Sequence, residues 1–202
     1  MRKKSGALCM TLGALLIAAA IALAAYNQLE ASHAANEVKT ILPQLQQAIT
    51  DRFDTEKSDS STETDEPAQV RKMTEVEIDG HRYIGYLSIP ALELELPVMA
   101  DWDYTRLKKS PCRYFGSVYS DNLVIAAHNY ARHFGKLADL RMGDPIRFID
   151  MEGAVYDYEV CDLETLPPTA TEEMLQSGWD LSLYTCTLSG GGRVTVRCKR
   201  VR

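Results

Sequence analysis

Histidine is scarce in this chain, with four in 202 residues: His33, His81, His128 and His133. None has ligand spacing to another histidine or to a pair of cysteines. No dense aspartate loop stands in the part expected to fold, so no metal and no other cofactor is expected. A broad basic face is also missing. Net charge is −6, and residues 51–66 alone carry seven acids against Arg52 and Lys57, which leaves the remainder close to balance. That distribution excludes a nucleic-acid partner. Cysteine is limited to five, four of them beyond the N-terminal segment. Disulfides are permitted outside the cell, but a domain of this size can form its core without them. Cys112 and Cys161 read as structural, and Cys198 as a small buried hydrophobe.

What the sequence does have begins at its N-terminus. Arg2, Lys3 and Lys4 precede Ala7–Ala25, nineteen residues without a charge. As a helix this run is about 28 Å long, the thickness of a bilayer core. The basic flank predicts a cytoplasmic N-terminus with the rest of the chain outside. The alternative is a cleaved signal peptide, because Ala22-Leu23-Ala24 fits a small-residue cleavage pattern; the length of the apolar run favours an uncleaved anchor. Four segments follow from this reading: an anchor at 1–25, a helical stalk at 26–53 interrupted at Pro43, an acidic Ser/Thr-rich disordered linker at 54–72, and a folded domain at 73–202.

The folded domain reads as mostly β. Asp79-Gly80 predicts a hairpin between Val76–Ile78 and Tyr83–Ile89. Strands are expected at Leu92–Met99, Leu123–Ala127, Pro145–Ile149 and Ala154–Leu166. Short helices are expected at Asp101–Lys109 with Asp101 as cap, at Arg132–Leu140, and at Ala170–Gln176 with Thr169 as cap. Many short strands with short connecting helices suggest a barrel.

The stretch LSLYTCTLSGGGRVTVRC, from Leu181 to Cys198, carries the chemistry. Side chains alternate across a strand, so Leu181, Leu183 and Thr185 share one face and Ser182, Tyr184 and Cys186 the other. In the returning strand Val194, Val196 and Cys198 oppose Arg193, Thr195 and Arg197. A short glycine-rich loop connects the two antiparallel strands. With both apolar faces on one core, Cys186 and Arg193 project together on the other side. Arg197 shares the face of Arg193 but lies four residues, about 13 Å, down the strand, where its loss is expected to cost little. A thiol beside a guanidinium needs a base. His33 falls in the stalk, His81 beside a turn, and His133 at the start of a helix, facing solvent. His128 emerges directly from strand Leu123–Ala127 and is the candidate.

These pieces resemble the sortases, membrane-anchored cysteine transpeptidases of Gram-positive cell surfaces. The resemblance rests on IGYLSIPALELELPV, on AAHN with His128, on LSLYTCT with Cys186 and on GRVTVRCKR with Arg193, in that order. It covers about Tyr83 to Val201. It implies a closed barrel of about eight strands and a catalytic set of His128, Cys186 and Arg193, with Thr185 contacting substrate. Cys186 would be the nucleophile, His128 the acid and then the base, and Arg193 the group that holds substrate or stabilises the oxyanion. The implied substrates are surface proteins with LPXTG-like sorting signals. The implied acceptor is an amine of a peptidoglycan precursor or a pilin.

The sequence departs from the family pattern in several places. Arg193 follows Cys186 at a spacing of seven positions, shorter than in most sortases. No Asp-Pro-aromatic lid precedes the first strand, and no second apolar segment follows the last. HNYARHFGKL looks like class B, whereas the segment from Thr165 to Thr187 looks like classes C and D. Leu166–Ala170 reads LPPTA but lacks the apolar stretch and basic tail of a sorting signal. A papain-like or NlpC/P60 peptidase fits poorly, because there the cysteine precedes the histidine and opens a helix. A tethered sortase-like domain that binds without catalysis is the other reading, and the reactivity of Cys186 separates the two.

Overall fold

Alternating apolar residues over 76–200 produce nine strands, which wrap into a closed barrel. The computed structural model describes residues 2–56, 71–176 and 178–201. The strands are β1 (Val76–Ile78), β2 (His81–Ile89), β3 (Leu94–Met99), β4 (Cys112–Phe115), β5 (Leu123–Ala126), β6 (Pro145–Asp150), β7 (Val155–Leu166), β8 (Leu181–Cys186) and β9 (Arg193–Arg200). They run in the order β1-β2-β3-β4-β5-β8-β9-β7-β6, and a β2–β6 pairing closes the ring. Eight strands therefore form the barrel, and β1 is an added hairpin arm on β2. Asp79 and Gly80 both have positive φ, the geometry of the turn that Asp-Gly favours in two-residue hairpins.

The barrel has apolar packing on both sides. Leu123, Ile125, Leu181, Leu183, Val196 and Cys198 point inward to the main core. The alternate residues Val124, Ala126 and Tyr184 point outward into a second cluster with Ile41, Leu45 and Ile49. These last three belong to α1 (Arg2–Glu56), a single helix. Ala34, Ile41, Leu45 and Ile49 are buried along one stripe of it, the spacing of an amphipathic face. Segment 26–53, expected as a helical stalk, is helical, and its part from Ala34 to Ile49 packs against the barrel. The expected interruption at Pro43 is absent, since the helix runs through that residue. Residues 57–70, most of the expected acidic linker, lie outside the described residues.

Several local expectations are corrected. Pro90–Leu92 forms a 3₁₀ turn, with Glu93 left-handed after it, so β3 starts two residues later than expected. The helix expected from Asp101 is a single turn, α2 (Tyr104–Leu107), and its cap is Asp103, whose side chain accepts from the Arg106 N–H at 2.7 Å. Strand β4 carries no clear sequence signal and was not expected. Arg132–Leu140 is a series of turns with a 3₁₀ segment at Leu137–Asp139. Gly135 sits so tightly there that a Cβ would stand 2.6 Å from the Asn129 carbonyl oxygen. Phe134, Leu137 and Leu140 are nevertheless buried. Helix α3 (Thr171–Leu175) starts after Ala170 without a side-chain cap, so Thr169 does not serve as one.

Candidate active site

The β8–β9 ladder places Cys186 directly opposite Arg193, with Tyr184 opposite Thr195 and Ser182 opposite Arg197. Cys186 is exposed and Arg193 half-buried. The loop between them is held by its own hydrogen bonds. The Thr187 N–H donates to the Gly192 carbonyl at 2.8 Å, and the Gly190 N–H to the Thr187 carbonyl at 2.9 Å. Gly190 has φ of 70°, a conformation that suits glycine. The Arg193 guanidinium lies over the Tyr184 ring, 5.4 Å from its centroid. Tyr184 continues a series of ring contacts through Tyr114 and Trp102 to Tyr104.

Strand β5 runs parallel to β8, with Ala126 opposite Tyr184, and the Ala127 N–H still bonds the Tyr184 carbonyl at 3.2 Å. His128 therefore leaves β5 at the level where Cys186 ends β8. The register thus brings the chain positions of His128, Cys186 and Arg193 to one end of the barrel. His128 is half-buried, and that burial lowers its pKa from the ordinary histidine value; Lys108 pushes the same way and Glu30 opposes them. Its ring stacks on Tyr130, with centroids 4.9 Å apart and planes 20° apart.

Thr185 points the other way, toward the core, and is buried. Its Oγ1 has no hydrogen-bond partner among the described residues. It lines a groove of about 480 Å³ with Cys186, Asn129, Phe134, Leu188 and Val194. This groove reaches Cys186 from the side opposite Tyr184.

His133 differs from its expected place, and Arg197 has a structural role that the sequence did not show. His133 is fully buried, not solvent-facing, with neither ring nitrogen partnered among the described residues. Burial pushes its imidazole down to about 4. Arg197 does lie down the wall from Arg193, but it is buried. It donates to Glu164 Oε1 at 2.7 Å, to Ser182 Oγ at 2.8 Å and to the Glu173 carbonyl at 2.8 Å. It is a structural cation tying β9 to β7, β8 and α3. Cys112 and Cys198 are buried free thiols, and Cys161 is half-buried and free. Among the described residues no group of three or more His, Cys, Asp or Glu is arranged to hold a metal.

Sequence reasoning missed Glu30, Lys108 and Tyr130. Lys108 donates to Glu30 Oε1 at 2.8 Å, and the Tyr130 hydroxyl donates to Glu30 Oε2 at 3.3 Å. Tyr130 lies two residues from His128, but no pattern links either of them to a helix a hundred residues earlier.

A family model described as the sortase domain matches residues 87–201. A curated relative, sortase A of Bacillus anthracis, is 28% identical over 142 residues, covering 67% of this chain and 66% of that protein, just under two thirds of its length. Solved structures are similar as well. Sortase C1 from Streptococcus agalactiae is 28% identical with a TM-score of 0.54, covering 62% of this chain and 71% of that one. Sortase A from Corynebacterium diphtheriae is 25% identical with a TM-score of 0.53, covering 60% and 62%. Sortase C from Streptococcus pneumoniae covers 82% of this chain and 96% of that one with a TM-score of 0.56, and at 24% identity it speaks for the fold.

Proposed function

Because this chain belongs to the sortase family, whose members are cysteine transpeptidases, we propose that it is a membrane-anchored sortase with His128, Cys186 and Arg193 as its catalytic residues. One observation carries the assignment of the site: Cys186 is the direct cross-strand partner of Arg193, at the level where His128 leaves the neighbouring parallel strand.

The proposed chemistry has two halves. The Cys186 thiolate attacks the scissile carbonyl of an LPXTG-like sorting signal and forms a C–S bond. Arg193 faces the carbonyl oxygen as negative charge develops there. The C–N bond breaks, and His128 gives its proton to the departing amine. An acceptor amine, from a peptidoglycan precursor or a pilin, then attacks the thioester and loses a proton to His128. The new amide leaves Cys186 as a thiolate. Thr185 borders the acyl site through the groove beside Cys186.

The arrangement along the chain is part of the same proposal. Residues 1–25 form the anchor, 26–53 the docked helical stem, 54–72 the linker and 73–202 the catalytic domain, with the N-terminus cytoplasmic and the barrel outside. The helix Cys9–Arg52 is long and apolar enough to cross a membrane, and Arg2, Lys3 and Lys4 set the orientation. LPPTA at 166–170 is not read as a substrate signal: Leu166 is paired with Arg193 in the ladder, and the Ala170 N–H is bonded back to the Pro167 carbonyl at 3.1 Å.

Intact-protein mass spectrometry of the full chain with LPXTG-type peptides tests the reading. An acyl adduct mapped to Cys186 and absent in Cys186→Ala is expected. Unchanged turnover in Cys186→Ala, or an adduct mapped to Cys112, would overturn it. Surface proteins that lose anchoring in a Cys186→Ala strain would identify the substrates.

A further inference from the structure

We infer that Glu30, on the membrane-proximal helix, and Tyr130 are positioning residues for His128, so that the anchor helix is part of the apparatus that orients the general acid. The inference rests on the transpeptidase reading of His128 given above.

Five contacts form the connection. Tyr130 stacks on His128 in nearly parallel planes and also contacts the buried His133 in a tilted arrangement, with ring centroids 5.6 Å apart. The stacked Tyr130 ring limits rotation of the His128 imidazole. Its hydroxyl is tied to Glu30 Oε2, and Oε1 of the same carboxylate accepts from Lys108 Nζ and from the Tyr26 hydroxyl at 2.9 Å. Glu30 therefore joins three parts of the molecule: α1, the residue after α2, and the loop that carries the histidine. The docked stripe of Ile41, Leu45 and Ile49 fixes α1 on the barrel a few turns away, so Glu30 is presented by a held helix. A groove of about 730 Å³, lined by Asn27, Ser32, Asn129, Tyr130 and Leu188, lies between this part of α1 and the histidine loop. Glu30 and Tyr130 bridge the two sides.

The charges act on His128 in opposite senses. Lys108 disfavours the imidazolium and Glu30 favours it. Tyr130 and the buried His133 on the same loop are the other titratable groups beside the ring, and Cys186 and Arg193 stand at the ends of β8 and β9 at the same register level. A general acid must carry its proton before it can give it. Without Glu30 the Lys108 charge is unopposed, the imidazolium is disfavoured, and Tyr130 loses its tether. Both changes lower the rate of acylation. A group that was merely structural would move stability and leave the titration of His128 in place.

The test uses the full chain in lipid nanodiscs, with ¹³C-labelled histidine followed by NMR across pH and single-turnover acylation by an LPXTG-type peptide. Glu30→Gln is expected to move the His128 titration to lower pH. It should also slow acylation about tenfold, a part of the roughly 10²–10⁴-fold that a positioned general acid contributes. Lys108→Met, approached from the barrel side, is expected to move the same titration to higher pH. Tyr130→Phe, which keeps the ring but not the hydroxyl, should slow acylation less than Tyr130→Ala. If both charge variants leave the His128 titration where the unsubstituted chain has it, or move it in the same direction, the inference is wrong. The titration is read without substrate. Absence of any Cys186-dependent adduct in the unsubstituted chain would therefore overturn the transpeptidase reading alone.

Discussion

Cys186 and Arg193 are the last pair of the β8–β9 ladder before the loop, directly opposed in register. Directly opposed residues of an antiparallel pair have Cβ atoms about 5 Å apart. A thiol and a cation are thus set side by side by backbone pairing alone, whatever the loop does.

Arg193→Ala should lose about 10²-fold or more in single-turnover acylation, the usual cost of removing a transition-state donor. Stability should change little, because Arg193 is half-buried and its described side-chain contact is with the Tyr184 ring. Arg193→Lys should also be impaired, since an ammonium does not reproduce the planar fork. Melting curves beside the rates separate loss of chemistry from loss of fold.

Arg197→Ala should behave in the opposite way. Its guanidinium is buried and satisfied by Glu164, Ser182 and the Glu173 carbonyl. Removing one partner of a buried polar network costs about 2–4 kcal/mol. Denaturant unfolding should show this loss, while acylation per folded molecule stays near that of the unsubstituted protein.

Thiol reactivity should divide the cysteines of the barrel. Burial pushes the Cys112 thiol up to about 12 and the Cys198 thiol higher still. A charged alkylating reagent near pH 8 should label exposed Cys186 and leave both of these untouched until denaturant is added. Peptide mapping of the labelled chain reads the result.

Stability should fall on mild acidification because of His133. Its folded-state pKa, about 4, lies below the unfolded value near 6.5, so the unfolded chain takes the proton first. The contribution is complete above pH 6.5 and is lost as pH falls toward 4, a change of up to ~3 kcal/mol. His128, lowered by burial as well, acts in the same direction. His133→Phe should flatten the profile measured by denaturant titration at successive pH values.

Docking of α1 should contribute to the stability of the barrel. Leu45→Ala removes a fully buried side chain between helix and sheet and should cost about 2–5 kcal/mol. A substitution at exposed Thr40 on the same helix should be close to neutral in the same unfolding measurement.

The strands were legible because their signals are local. The Asp79-Gly80 turn, the LVIA run and the alternation in Leu181–Cys186 and Arg193–Cys198 each state strand or turn within a few residues, and the register that opposes Cys186 to Arg193 follows from the short loop. Helical spacing misled at Arg132–Leu140: Phe134, Leu137 and Leu140 are buried as a helix would bury them, but by turns around a glycine with no room for a side chain. His133 was expected at the surface, and the covering of Arg197 was not foreseen, for one reason. Alternation tells which face a residue is on, and not whether another element covers that face. Here α3 covers the outer side of β9 at Arg197, as shown by the bond to the Glu173 carbonyl, and tertiary folding encloses His133. The link from Glu30 to His128 spans about a hundred residues and rests on one docking geometry, which no sequence window contains.

If α1 crosses the bilayer as proposed, then by packing along the barrel without a break it is a mast, not a leash. Glu30 stands five residues after Ala25, about 8 Å of helix, and it touches the residue stacked on His128. On the proposed reading, with Ala7–Ala25 in the lipid, the rim that carries Cys186 would be held within roughly a nanometre of the headgroups. Work at that height would be confined to a plane: donor and acceptor would arrive by lateral diffusion along the membrane, and amines farther out in the wall would lie beyond the reach of the site.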